Sequence, residues 1–420
     1  MDRTTRSSRR LVLALALGVT AAFGACRLPP EIPPMPSAVA VEPRPANFVR
    51  TDVLPVRLSA VEGKPGVLVE NAKGGKRWFE AEGSFVRSSS GERANSFTVE
   101  PENALRGLRL GDRSYRGELR IEARDAGGLR VTNHVPLEAY VEGVVAGEVV
   151  LWSAEPAELE AQAIAARTYA LESLTRRPLA PFLWDDTRDQ AYRGIFLPSN
   201  DGEVKVALKL ARAIEATEGM VLRRAGALYD SRFHASCGGH TATLGDVFPA
   251  ESVIFDGSVP CAPCRAIGAL ERSRGEDRGK VAWRAHFDNA RLDRLARELR
   301  IGDRLQSLRV SRMDAHGRWI AVECRGDASS RTIEWNELRR LLDAGVLKSG
   351  VVHVTSPAAG APITDGLTIE GVGRGHGVGL CQIGAHALAV DGSSASQILA
   401  HYYPLAQLDS LSPSGREPVE

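Results

Sequence analysis

The chain has 420 residues, enough for one large domain or two ordinary ones, and its 43% apolar and 25% charged residues are the balance of a globular protein. Its 53 Lys and Arg against 52 Asp and Glu leave it almost neutral, so charge gives no ground for a nucleic-acid partner and none is expected.

At the N-terminus, Arg3, Arg6, Arg9 and Arg10 precede the apolar run LVLALALGVTAAF and then Gly-Ala-Cys. The run is too short to cross a bilayer and has the charged and apolar regions of an export signal. Small residues directly before Cys26 predict a lipoprotein-type signal over residues 1–26, with Cys26 lipidated and holding the protein to a membrane. A plain signal peptide with an incidental cysteine is the competing reading, because Phe23 stands where Leu is usual. Both place the protein in the periplasm or cell envelope. Residues 27–50 are dense in proline and read as an extended linker.

The fold is expected in residues 51–408. From Val53 to Val131, short alternating runs separated by Gly, Asn and Asp predict an antiparallel sheet. VPLEAYVEGVVAGEVV then opens on proline as an amphipathic helical stretch. AEPAELEAQAIAARTYALESL is the clearest helix, with Pro156 in its first turn and Arg176 and Arg177 near its end. Its stripe of Leu159, Ala163, Ala166, Ala170 and Leu174 predicts a core face. Residues 219–235 read as a hairpin leading to SCGGHT. An inserted α/β lobe is expected at about 270–350, with NARLDRLARELR and WNELRRLLDAG as helices around two strands. SSASQILAHYYP predicts a Ser-capped helix stopped by Pro404. The sum is an α+β fold: an antiparallel sheet with packed helices around a groove, without the regular alternation of a nucleotide-binding sheet.

Three stretches carry candidate chemistry. In GVGRGHGVGLCQIGAHALA the glycines suggest a phosphate loop, but Leu-Cys-Gln follows Gly379 where a Walker loop needs Lys-Ser/Thr. The reading that remains is a backbone approaching something closely, either a bulky ligand, with His376 and Arg374 presented from it, or the core. Glu148 sits in VVAGEVVLW, an acid among apolar residues near Trp152, where burial would raise its pKa and suit a general acid; an outward-pointing acid at a helix end is the plainer alternative. Asp185, Asp186 and Asp189 in WDDTRDQAYRG read as a solvated loop. His234, Cys237, His240, Cys261 and Cys264 are ligand types for zinc, with a C-x2-C half; a disulfide from Cys237 to Cys261 or Cys264 competes. Cys324, within a strand, reads as a buried free thiol.

VPLEAYVEGVVAGEV with AELEAQAIAARTYAL, then DQAYRG, then FHASCGGHTATLGDVF, then GRGHGVGLCQIGAHALA with ILAHYYP occur in that order. Together they resemble the stage II sporulation protein D family, also called the amidase-enhancer or LytB-type family, from about residue 95 to 405. The resemblance implies a peptidoglycan lytic transglycosylase acting on glycan strands, with Glu148 at the catalytic position. It also implies a polar groove wall of Arg167, Tyr192, Ser236, Gly238, Thr241, His376 and Gln382. No cofactor is required by that chemistry. A cell-wall amidase is a candidate partner, and a non-catalytic glycan-binding protein that stimulates such an amidase is the alternative function. Glu160 stands where relatives commonly have Lys. The segment WDDTRDQAY lacks the His and Cys through which some relatives bind zinc, so zinc here would have to use His234, Cys237, Cys261 and Cys264.

Overall fold

The computed structural model describes residues 52–249, 257–274, 279 and 281–411. Cys26 and the expected signal and linker lie outside them.

The alternating segments between Val53 and Pro136 form strands, because each places apolar side chains on one face only. A five-stranded sheet runs in the order Leu183–Trp184, Val53–Arg57, Leu129–Pro136, Glu118–Ala123, Ser96–Val99. Leu54, Val56, Leu119, Ile121, Leu129 and Val131 are fully buried in it. A second sheet of six strands forms a meander from the strands between Gly66 and Tyr115. All pairs are antiparallel except the short parallel edge at Leu183–Trp184.

Helix α1 (Leu137–Glu148) leaves the Leu129–Pro136 strand directly through Pro136. Helix α2 (Pro156–Arg176) starts with Pro156 at its first position and a reciprocal cap between Glu155 and Glu158. The expected stripe of Leu159, Ala163, Ala166, Ala170 and Leu174 is fully buried. The helix is also buried on most of its other sides, since it packs on α1, α3 (Asp201–Ala216), α8 (Gln382–Val390) and α9 (Ala395–Tyr402). Alanine makes this central position tolerable: small side chains let several helices approach one axis closely.

The hairpin of Met220–Arg224 and Ala227–Leu228 forms as expected and is joined by Gln407–Ser410. Short helix α4 (Leu244–Val247) and α5 (Ala262–Ser273) follow. A separate cluster of buried side chains runs from Trp283 to Ile369, among α6 (Asn289–Glu298), α7 (Trp335–Leu342) and two three-stranded sheets. In one of these, strands Val351–Ser356 and Leu367–Val372 join Ala282–Phe287. Helix α9 is closed by a Ser394–Gln397 capping box, as the serine predicted. The architecture is α+β.

Candidate functional site

Glu148 is the last residue of α1 and is partly buried. One carboxylate oxygen accepts a hydrogen bond from the backbone N–H of Ala191, at 2.7 Å. Gln382, the first residue of α8, and exposed Arg193 also act on the carboxylate and favour its charged form. Burial pushes the pKa of Glu148 up, against the smaller lowering effects of Ala191, Gln382 and Arg193. Its acid form is therefore favoured further up the pH scale than in a solvated glutamate. Beyond the end of α1, Val150 and Trp152 are exposed, at 70% and 60%. Gln382 in turn donates to Gln162 of α2, which is buried, at 3.4 Å.

The geometry depends on glycine. Gly143 and Gly147 lie one turn apart on the same face of α1. A Cβ on Gly147 would stand 2.0 Å from the carbonyl oxygen of Ala191, and one on Gly143 would stand 2.6 Å from the Tyr192 ring. Their absence lets residues 189–194 lie along the helix as a strap, and Arg193 N–H donates to the Gly143 carbonyl at 3.2 Å.

That strap is a correction to the expected solvated loop. The Asp189 side chain is buried and accepts from Arg177 at 2.6 Å, from the Trp184 N–H at 2.8 Å and from the Tyr169 hydroxyl at 3.3 Å. Gln190 is buried and accepts from the Tyr140 hydroxyl at 2.8 Å. Asp185 is also buried and accepts from the Ser59 N–H at 2.8 Å. Asp186, paired with Arg188 at 2.6 Å, is the acid of this segment that keeps its solvent contact.

Of the residues expected along the groove, Gln382 meets Glu148 and several others do not. Arg167 is fully buried; its guanidinium makes a two-point ion pair with Glu138, at 2.8 and 2.5 Å, and donates to the Met220 carbonyl at 3.0 Å. No face of it is left for a sugar. Tyr192 packs between Tyr140 and Tyr115, with ring centroids 5.1 and 5.9 Å away, and its hydroxyl donates to Asn133 at 2.9 Å. Ser236 and Thr241 are buried, Ser236 bridging to Arg374 and Thr241 pairing with Val259 through backbone and hydroxyl. Gly238 lies at φ +81° on the wall of a cleft of about 280 Å³ shared with Arg265, Arg272, His316 and His353.

His376 belongs to a different neighbourhood from Glu148. Its Nδ1 accepts from the Val378 N–H at 3.0 Å, and its ring meets His234 and Phe248 edge-on at 5.5 and 5.6 Å. Burial, with His234 beside it, holds its pKa well below the ordinary imidazole value. The glycines around it serve protein contacts. A Cβ on Gly377 would stand 2.6 Å from the Arg318 guanidinium, and one on Gly379 would stand 2.0 Å from the Arg232 carbonyl oxygen. The loop packs against the CGG segment through bridges Ser236–Arg374 and Ala242–Val378. The close approach foreseen from the glycines is thus an approach to the core.

The cysteines also differ from expectation. Cys237, Cys261 and Cys264 are free and buried, as is Cys324 in its strand. Their companion is Cys381, and the four Sγ atoms of Cys237, Cys261, Cys264 and Cys381 lie within 4.8 Å of one another. His234 stays apart, its Nδ1 3.1 Å from the Val378 carbonyl. Nothing in the local sequence ties Cys381 to a C-x2-C pair 117 residues earlier; the parallel pairing of Phe233–His234 with Leu380–Cys381 brings it there.

Comparison with known proteins bears on the same region. Residues 125–223, which include Glu148, Arg167 and the strap, match the family model described as "Stage II sporulation protein". An uncharacterized protein of Brachyspira hyodysenteriae is 28% identical over 277 residues, 65% of this chain and 66% of that relative. The Amidase enhancer of Bacillus subtilis is 27% identical over 306 residues, 64% of this chain and 40% of the relative. The Stage II sporulation protein D of Bacillus amyloliquefaciens is 25% identical over 292 residues, covering 65% and 75% of the two chains. The chain therefore spans less than two thirds of the length of the first two.

Proposed function

We propose that this chain, which carries a stage II sporulation protein D-type domain, is an exported peptidoglycan lytic transglycosylase held to a membrane through Cys26. It cleaves the bond between N-acetylmuramic acid and N-acetylglucosamine in peptide-stripped glycan strands and leaves 1,6-anhydromuramyl ends. The observation that carries this reading is the environment of Glu148: a carboxyl with its pKa raised by burial, beside an N–H, an amide and a guanidinium, with no second acid acting on it among the described residues.

A hydrolase working through two carboxyls needs the second to attack or to activate water. A lytic transglycosylase does without it. Glu148 protonates the glycosidic oxygen and becomes a carboxylate, which the Ala191 N–H and the Gln382 amide are already placed to stabilise. The carboxylate then takes the proton of the muramyl 6-hydroxyl as that oxygen closes on C1. The proton count returns to its start, and no water is consumed. Exposed Arg193 would pair with the free lactyl carboxylate of a stripped strand, and exposed Trp152 would offer a stacking face to a sugar.

The printed name of the Bacillus subtilis relative favours a second reading, a glycan-binding protein that stimulates a cell-wall amidase without cutting glycan. Mass spectrometry of peptide-stripped strands incubated with purified protein separates the two. Anhydro ends from wild type, reduced about 10²–10⁴-fold in Glu148→Gln, are the expected result. Wild type that yields no anhydro ends but accelerates an added amidase would favour the second reading.

A further inference from the structure

We infer that Cys237, Cys261, Cys264 and Cys381 form a structural zinc site that joins the CGG loop, the start of α5 and the start of α8. The four sulfurs converge from three separate stretches of chain and are all at least 99% buried by residue. A tetrahedral zinc with Zn–S bonds of about 2.3 Å sets its sulfurs about 3.8 Å apart. The four Sγ atoms here fall within 4.8 Å of one another, with Cys264 and Cys381 at 3.3 Å. A disulfide would instead draw one pair to about 2.05 Å and leave the other pair separate. The four sulfurs share one centre; they do not sort into two bonded pairs.

The surroundings suit thiolates. The Cys237 N–H points at the Cys381 sulfur, and the Gly239 N–H at the Cys237 sulfur, each at 3.4 Å. The hydroxyl of Ser236 lies 3.6 Å from the Cys264 sulfur, and that of Tyr402 lies 3.6 Å from the Cys261 sulfur. Cys261 caps α5 and Cys264 falls in its first turn, so the C-x2-C half turns both sulfurs to one side. A Cβ on Gly384 would stand 2.7 Å from the Cys261 sulfur, so glycine there leaves room for the cluster. Zinc with four thiolates carries two net negative charges, which burial would penalise. The buried guanidinium of Arg318 donates to the Cys237 carbonyl at 2.8 Å and the His240 carbonyl at 3.3 Å, and, although also 3.9 Å from Asp314, it acts as a positive charge on Cys237 and Cys381. Soft sulfur donors in tetrahedral array select zinc over the hard cations.

The site is argued from the sulfurs alone, independently of the activity proposed above, and its test reads metal rather than catalysis. The full chain is purified without chelator, and its metal content and free thiols are measured together. The expected result is about one zinc per chain, with the cluster thiols shielded from a thiol reagent until the metal is released. Substituting cobalt for zinc should give the intense near-ultraviolet sulfur-to-cobalt absorption of a tetrahedral thiolate site. Cys381→Ser should lower zinc content several-fold, and Cys324→Ser should leave it at one. Should Cys381→Ser not fold, the cobalt spectrum and stoichiometry of the wild type decide the matter. Metal-free wild type, with its thiols either all reactive or joined as two disulfides by mass, would overturn the inference.

Discussion

Arg167 and Glu148 are both ionisable side chains taken largely out of water, and the protein treats them in opposite ways. Arg167 is matched by Glu138 at two points, with the Met220 carbonyl taking a further N–H. Removing one partner of such a pair leaves the other uncompensated. Arg167→Ala is therefore expected to lose about 3–5 kcal/mol in urea unfolding, with part recovered by Arg167→Met combined with Glu138→Leu. A sugar-binding arginine would instead leave stability intact and weaken substrate binding, so the two measurements discriminate. Glu148 is matched less fully, and burial tips it toward its neutral form.

In the proposed mechanism, helix α1 and the strap at 189–194 together position the Glu148 carboxyl. Gly147→Ala would drive a methyl into the Ala191 carbonyl, push the strap away and break the Ala191 N–H bond to Glu148. That bond lowers the carboxyl's pKa, so its loss should raise it. The alkaline limb of the kcat/KM profile should move to higher pH, while the maximal rate falls about 10–100-fold through misplacement. A limb that stays in place would separate the strap from the acid. The sequence made α1 and α2 legible, because apolar periodicity is a local signal; a carboxyl among valines left Glu148 open to an outward-pointing reading, and the resemblance singled it out. The strap was not, because Asp189, Gln190 and Tyr192 are polar in isolation and become core only through Arg177, Tyr140 and Asn133. Positive-φ glycines announced a close approach at 373–379 but could not say to what; the partners, Ser236, Arg232 and Arg318, lie elsewhere in the chain. Cys381 was hidden for the same reason.

At the scale of the whole molecule, the buried ionisable groups set opposing demands on pH. His234 is pushed down to about 3 by burial and by Arg318, and His376 well below its ordinary value by burial and His234. Below about pH 6.5 the unfolded chain takes up protons that these rings refuse, so stability present above that pH is lost on acidification. Glu172, raised to about 7 by burial and by Asp230, works the other way: its contribution is present at low pH and lost as pH rises toward 7. The two imidazoles are thus opposed by Glu172 and by Glu148, whose pKa burial also raises. Removing one carboxyl from the balance should expose the imidazoles' share, so Glu172→Gln is expected to make Tm fall more steeply between about pH 6.5 and 5 than in wild type. An unchanged slope would contradict the balance. On the proposed mechanism, protonation of Glu148 favours acid, whereas the two imidazoles favour a higher pH. The contacts of Glu148 also carry a consequence in time. They come from positions 148, 191 and 382, so a chain still emerging has α1 and its carboxyl long before α8 delivers Gln382. On the proposed function, the acid is therefore made early in synthesis, and its surroundings are complete only in the finished polypeptide.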